Sequence, residues 1–166
     1  MKTVIVYGST TGSTETVAQD LAGAFPGSTV ISAGQASEAD VKDAEFLIFG
    51  ASTWGCGDLQ DDMAAFLGRF SGWNVSAKTG AVFGLGDQFT YTDTYVDGMA
   101  DMADALRNKG IKVVGAWPAA GYGHSASRAV NGDSFNGLAL DQDNESDRTA
   151  ERLSVWVKQV MAETEI

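Results

Sequence analysis

Residues 3–15 read TVIVYGSTTGSTE. Thr3 to Tyr7 are β-branched or aromatic without a polar alternation, the pattern of a strand covered on both faces. Small and hydroxylated residues follow, and Val17, Leu21 and Phe25 then recur at i, i+4 and i+8, one face of a helix. A strand that turns through glycine and hydroxyls into a helix leaves backbone N–H groups free, and the helix N-terminus favours an anion. Ser9, Thr10, Thr11, Ser13 and Thr14 add hydroxyl donors, and Gly12 permits a tight approach of the backbone. The spacing is not that of a Walker A loop, no Lys follows the glycine, and GxGxxG is absent. The turn reads as a phosphate cradle of neutral donors or as a helix entered through a Ser/Thr turn.

The alternation continues outward from this unit. Strand-like runs lie at STVIS (28–32), EFLIFG (45–50), GAVFGLG (80–86) and KVVGAW (112–117). Between them SEADVKDA predicts a short helix. Met63, Phe66, Leu67 and Phe70 predict a longer one, as do Tyr95, Met99, Met102 and Leu106, and Leu153, Trp156, Val157, Val160 and Met161 predict the last. Strands alternating with helices argue for one α/β domain over 1–166, a parallel sheet with helices on both faces. The rhythm breaks after Trp117. A Gly-, Ser- and Ala-rich stretch, about 118–138, reads as an insertion that docks a partner or packs on the fifth strand, with FNGLALD as a further strand segment.

The chain has 22 acidic residues against 11 basic ones, a net charge of −11. Such a surface repels nucleic acid and anionic membranes and favours basic proteins. One Cys excludes an internal disulfide, and one His weakens any metal site. No stretch is apolar enough for a membrane span or a secretory leader, so the expected location is the cytoplasm.

Two further loops follow strand ends. STWGCGDLQDD (52–62) follows the third strand, and GLGDQFTYTD (84–93) follows the fourth. In open α/β sheets ligands bind outside the carboxyl ends of strands near a topological switch point. The three loops converging there would bring a phosphate cradle, Trp54 and Tyr91 to one site. That combination suits a planar ring carrying a phosphate, although either aromatic alone also suits half-buried packing. A receiver domain would need acids where Gly8-Ser9-Thr10 and Gly50-Ala51 stand. A serine hydrolase would need a GxSxG elbow and a His base, and the lone His124 reads as a loop hydrogen-bonder.

These stretches together resemble the flavodoxin family. GSTTGSTE is similar to its phosphate loop, STWGCGDLQDD to its first flavin loop and GLGDQFTYTD to its second. WPAAGYGHSAS and FNGLALDQDNESDRTAERL resemble the interrupted fifth strand and final helix of the long-chain members, so the resemblance runs from residue 2 to about residue 160. It implies a flavodoxin-like three-layer α/β/α sandwich. Its five-stranded parallel sheet would have the order 2-1-3-4-5, with the insertion in the fifth strand.

The resemblance also implies FMN. Its phosphate would lie on Ser9, Thr10, Thr11, Gly12, Ser13 and Thr14, and its ring between Trp54 and Tyr91. Thr53 and the backbone of Gly55, Cys56 and Gly57 would border the ring. Leu85, Gly86, Asp87, Asp93 and Thr94 would surround the pyrimidine edge, and Asp143 would lie near the ribityl chain. Gly55 suits the first central position of a type II′ turn. A flip of the 55–56 peptide would then point the Gly55 carbonyl at a protonated flavin N5.

The function implied is a monomeric, low-potential one-electron carrier without substrate turnover, shuttling between semiquinone and hydroquinone. Asp58, Asp61, Asp62, Asp87 and Asp93 lie in or beside the flavin loops, with no Lys or Arg in 8–16, 52–62 or 84–97. Those acids disfavour a reduced, anionic ring and also form a solvated acidic face. Partners would be redox proteins with basic docking surfaces, such as an NADP reductase or nitrogenase. Two other classes compete: an FMN-dependent quinone reductase or nitroreductase on the same fold, and a phosphate-binding or signalling module with no redox role.

Overall fold

The computed structural model describes residues 1–164; the last two residues of the expected 1–166 domain lie outside the described residues. Strand β1 spans Thr3–Gly8 and leads into helix α1, Ser13–Ala24. Then come β2, Thr29–Ser32, the single-turn α2, Glu38–Val41, and β3, Phe46–Trp54. A two-residue β4, Asp58–Leu59, folds back on the end of β3 before α3, Asp61–Phe70. Strand β5 is Thr79–Leu85 and α4 is Gly98–Asn108. Short strands follow: β6 (Lys112–Val113), β7 (Trp117–Pro118), β8 (Val130–Asn131), β9 (Ser134–Phe135) and β10 (Leu138–Leu140). Helix α5, Thr149–Thr164, closes the described chain.

The central sheet runs β2-β1-β3-β5-β10, with every neighbouring pair parallel. Read as five strands, this is the expected 2-1-3-4-5 order. Strands β6 and β10 both pair with β5, at Thr79–Gly80 and at Phe83–Leu85 respectively. They are the two halves of the interrupted fifth strand, and the chain between them forms its own antiparallel sheet, β7-β9-β8.

Side chains alternate across each buried strand because successive Cβ atoms point to opposite faces. Val4, Val6, Leu47, Phe49 and Val82 pack with Phe66 and Phe70 of α3 and Met99, Met102 and Leu106 of α4. Ile5, Phe46, Ile48, Ala81 and Phe83 pack with Val17 and Leu21 of α1 and Trp156 and Val160 of α5. The three-layer sandwich follows from these two cores.

Four expectations need correction. Strand β2 is exposed or half-buried throughout, because it is the sheet edge. KVVGAW joins the central sheet only at Lys112–Val113. Gly115 turns out with φ +85, and a Cβ there would stand 2.8 Å from Trp156 Nε1, so the indole occupies the space a continuing strand would need. Tyr95 lies outside α4. Val96, at φ +47, breaks the backbone between them, and Tyr95 is buried with its hydroxyl donating to Leu140 O at 3.1 Å. His124 is packed in rings rather than hydrogen-bonded by the loop. It lies 5.4 Å from Tyr95 and 5.2 Å from Phe135, and its buried Nδ1 has no partner among the described residues.

Candidate functional site

The carboxyl ends of β1, β3 and β5 open into one cleft of about 270 Å³. It is lined by Thr11, Ser13 and Thr14 from the first loop and by Ser52, Thr53 and Trp54 from the second. Leu85, Gly86, Asp87 and Tyr91 come from the third, and Gln142 and Asp143 from the chain after β10. Ten of these twelve are residues singled out in the sequence; Ser52 and Gln142 are not. Ser52 is the first residue of the STWGCGD stretch and was legible as its neighbour. Gln142 carries no periodic or motif signal and reaches the cleft only because β10 docks beside β5.

At one end of the cleft, α1 starts bare. Its N-cap, Gly12, has φ +96 and offers no side-chain cap. The Gly12 N–H is held by Ser9 Oγ at 3.0 Å, whereas the N–H groups of Ser13, Thr14 and Glu15 meet no acceptor among the described residues. Those are the orphan donors of a helix N-terminus, and they create a positive end aimed at the cleft. Thr10 does not line the cleft but stands in the same turn, accepting from Gln60 Nε2 at 3.4 Å. The donor set is neutral, as the sequence predicts, and its geometry suits an anion rather than a metal. Among the described residues no group of three or more His, Cys, Asp or Glu side chains is placed to hold a metal ion.

At the other end stand Trp54 and Tyr91, 42% and 43% exposed. Large aromatic rings left this open on separate loops are available for stacking. The turn after Trp54 is closed by Gly57 N–H donating to Trp54 O at 3.1 Å. Gly55 has φ +51, while Cys56 is not in the positive-φ region, the sign pattern of the type II′ turn expected from the sequence. Gly57, at φ +97, lies against Asp97: a Cβ there would stand 2.7 Å from Oδ2. Cys56 is exposed. Thr94 packs behind Gly57, Asp93 is exposed, and neither lines the cleft. Thr53 Oγ1 accepts from Gly98 N–H at 2.9 Å and so fixes the start of α4 to the end of β3.

The third loop is built on carboxylates. Asp87 Oδ1 accepts from Thr90 N–H at 2.9 Å, Phe89 N–H at 3.1 Å and Asn144 Nδ2 at 2.8 Å. Burial works to raise the Asp87 pKa, but these bonds hold it down at about 2. Asp143 is pushed the other way, by burial and by the charges of Asp87 and Asp141. Asp141 is wholly buried, its carboxylate accepting from Gln88 N–H and Nε2 and from Asn144. The insertion runs along the back of this loop. Gly123 N–H donates to Gln88 Oε1 at 2.6 Å, Ser125 N–H to Thr92 O at 2.8 Å and Arg128 N–H to Asp97 Oδ1 at 2.7 Å.

The charge balance differs in one respect from the sequence reading. Arg128, far in sequence from residues 52–62 and 84–97, brings its guanidinium to Asp97 at 3.5 Å and Asp101 at 3.2 Å. Asp58, Asp61, Asp62, Asp87 and Asp93 form no ion pair among the described residues. No helix among them is long and apolar enough to cross a membrane.

The flavodoxin family model matches residues 5–156. A flavodoxin of Picosynechococcus sp. is 40% identical over 159 residues, covering 94% of this chain and 94% of that protein. One from Synechocystis sp. is 38% identical over 159 residues, again 94% of each. Among solved structures, Fusobacterium nucleatum flavodoxin bound to flavin mononucleotide superposes with a TM-score of 0.89 at 23% identity, covering 98% of both chains, a likeness of fold.

Proposed function

The chain belongs to the flavodoxin family, and from that premise we propose that it carries single electrons at low potential on an FMN held in this cleft. Flavodoxins are electron-transfer proteins that pass electrons to redox partners rather than convert a substrate of their own. The observation that carries the reading is the pairing of two exposed rings, Trp54 and Tyr91, with the uncapped N-terminus of α1 along one cleft. The bound FMN supplies the one-electron redox chemistry. Everything else is the work of this chain.

Ser9, Thr10, Thr11, Gly12, Ser13 and Thr14 hold the phosphate with hydroxyls, orphan N–H groups and the helix dipole. Thr53, Trp54, Leu85, Gly86, Asp87, Tyr91 and Asp143 hold the ring and sugar chain. Gly55, Cys56 and Gly57 present backbone to the ring edge, and Asp93 and Thr94 support the loop that carries Tyr91.

The unpaired acids set the potential. A carboxylate ~10 Å from a developing negative charge, at an effective dielectric of ~20–80, costs about 0.4–1.7 kcal/mol. For a one-electron couple ~59 mV corresponds to ~1.4 kcal/mol, so each acid lowers the potential by tens of millivolts. Arg128 offsets Asp97 and Asp101 but none of the unpaired acids. The same acids steer basic partners, among them an NADP reductase or nitrogenase, in the cytoplasm, with the carrier a monomer.

A reductive titration of the FMN-loaded protein tests this reading. Two resolved one-electron steps are expected, the second at a potential below that of free FMN. A single two-electron bleaching, coupled to rapid NAD(P)H-driven reduction of quinones, would overturn it.

A further inference from the structure

Gln60 is no part of the cleft wall, yet it joins two of the loops that make it. It is 3% exposed, ends the loop that carries Trp54 and caps α3, its Oε1 accepting from Met63 N–H at 2.9 Å. That bond settles which end of the carboxamide is the acceptor, so Nε2 is the donor. Nε2 donates to Asp62 Oδ2 at 3.2 Å and to Thr10 Oγ1 at 3.4 Å. The side chain also lies hard against Gly8, where a Cβ would stand 2.2 Å from Oε1 and 2.9 Å from Met63 Cβ. Nothing larger than glycine fits at the strand end from which the hydroxyl turn departs.

A Thr hydroxyl has one hydrogen and two acceptor positions. With Gln60 donating to Thr10 Oγ1, the hydrogen of Thr10 is left to seek another acceptor, and it finds none among the described residues. We propose that Gln60 is a positioning residue for the cofactor phosphate, holding Thr10 as a hydrogen-bond donor toward the anion and tying the phosphate loop to the loop that carries Trp54. The inference rests on the FMN reading above. It requires that Gln60 matter for the phosphate and not for the ring, which sets it apart from a residue that merely caps a helix.

The test compares FMN with riboflavin, which has the same ring and no phosphate, on the apoprotein of four variants. Gln60→Met should weaken FMN about tenfold, the worth of one hydrogen bond to a charged group, and leave riboflavin within about twofold. Gln60→Glu keeps the acceptor that caps α3 but loses the donor and sets a second carboxylate against Asp62, so it should lose stability and show a larger selective loss than Gln60→Met. Thr10→Ala should cost FMN about tenfold. The double variant Thr10→Ala with Gln60→Met should cost about the same, rather than about a hundredfold, because the two groups act as a unit. Equal weakening of both flavins in the Gln60 variants, or additive losses in the double variant, would overturn the proposal. A wild-type apoprotein that takes up neither flavin would overturn the FMN reading itself, together with this one.

Discussion

The turn at Gly55 joins the smallest side chain to the most exacting backbone. Gly55 has φ +51 and Cys56 does not share the left-handed region. Rotating the 55–56 peptide into the mirror-related type I′ turn would bring Cys56 to positive φ, at about 1–2 kcal/mol for a residue with a Cβ. The energetic role of Cys56 thus lies in its Cβ and not in its sulfur. Cys56→Ser should leave FMN affinity and both potentials unchanged, whereas Cys56→Gly should change the spacing between the two potentials. Gly55→Ala should weaken the turn by about 1 kcal/mol and shift the first potential more than the second in a potentiometric titration. An unmoved first potential would remove the turn from the mechanism. Asp87 makes a prediction of a different kind. Its folded pKa, about 2, lies below the unfolded value of about 3.9, so the unfolded chain binds its proton first. The stability it contributes is present above about pH 4 and is lost as pH falls toward about 2. Urea unfolding of the apoprotein across that range should show a shallower loss for Asp87→Asn than for the wild type.

The insertion is where the sequence said least and the elements say most. Its Gly, Ser and Ala residues carry no periodicity, so neither β7-β9-β8 nor its seat behind the loop of Tyr91 was legible. The β1–α1 unit, by contrast, was legible in full, because strand composition, turn chemistry and helix period agree over adjacent residues. The acids were legible as residues but not as a field, since the pairing of Asp97 with Arg128 joins segments that no local pattern connects. His124 shows how the insertion is held. Its ring packs on Tyr95, Tyr122 and Phe135, and burial lowers its pKa. The charged groups facing this cluster are Arg152, whose guanidinium lies 4.4 Å over the Tyr122 ring, Glu145, paired with Arg152, and Asp141 and Arg148. A His with a depressed folded pKa costs stability once pH falls below the unfolded value of about 6.5. Between pH 7 and pH 5 the wild type should therefore lose stability that His124→Phe retains. Equal slopes in chemical denaturation would show that the ring is not desolvated in solution.

For the molecule as a whole, a net charge of −11 on 166 residues makes encounter the step most open to control by salt. The screening length falls from about 10 Å at 0.1 M to about 3 Å at 1 M. Electron transfer to a basic acceptor should slow steeply as salt rises, while FMN affinity, which relies on neutral donors and ring stacking, should change far less. Stopped-flow rates and flavin titrations at matched ionic strengths separate the two. A further consequence concerns time. The end of the cleft proposed for the phosphate is lined by one short run of chain at the β1–α1 junction, braced from outside it by Gln60. The ring end waits for residues as far apart as Gln88 and Asp141, separated by 53 positions, to meet after the excursion that divides the fifth strand. Contacts that close long stretches of chain form slowly. A folding molecule therefore owns a place for the phosphate before it owns a place for the ring. Pulse-labelled hydrogen exchange during refolding should protect the amides of β1 and β3 before those of Leu138–Leu140.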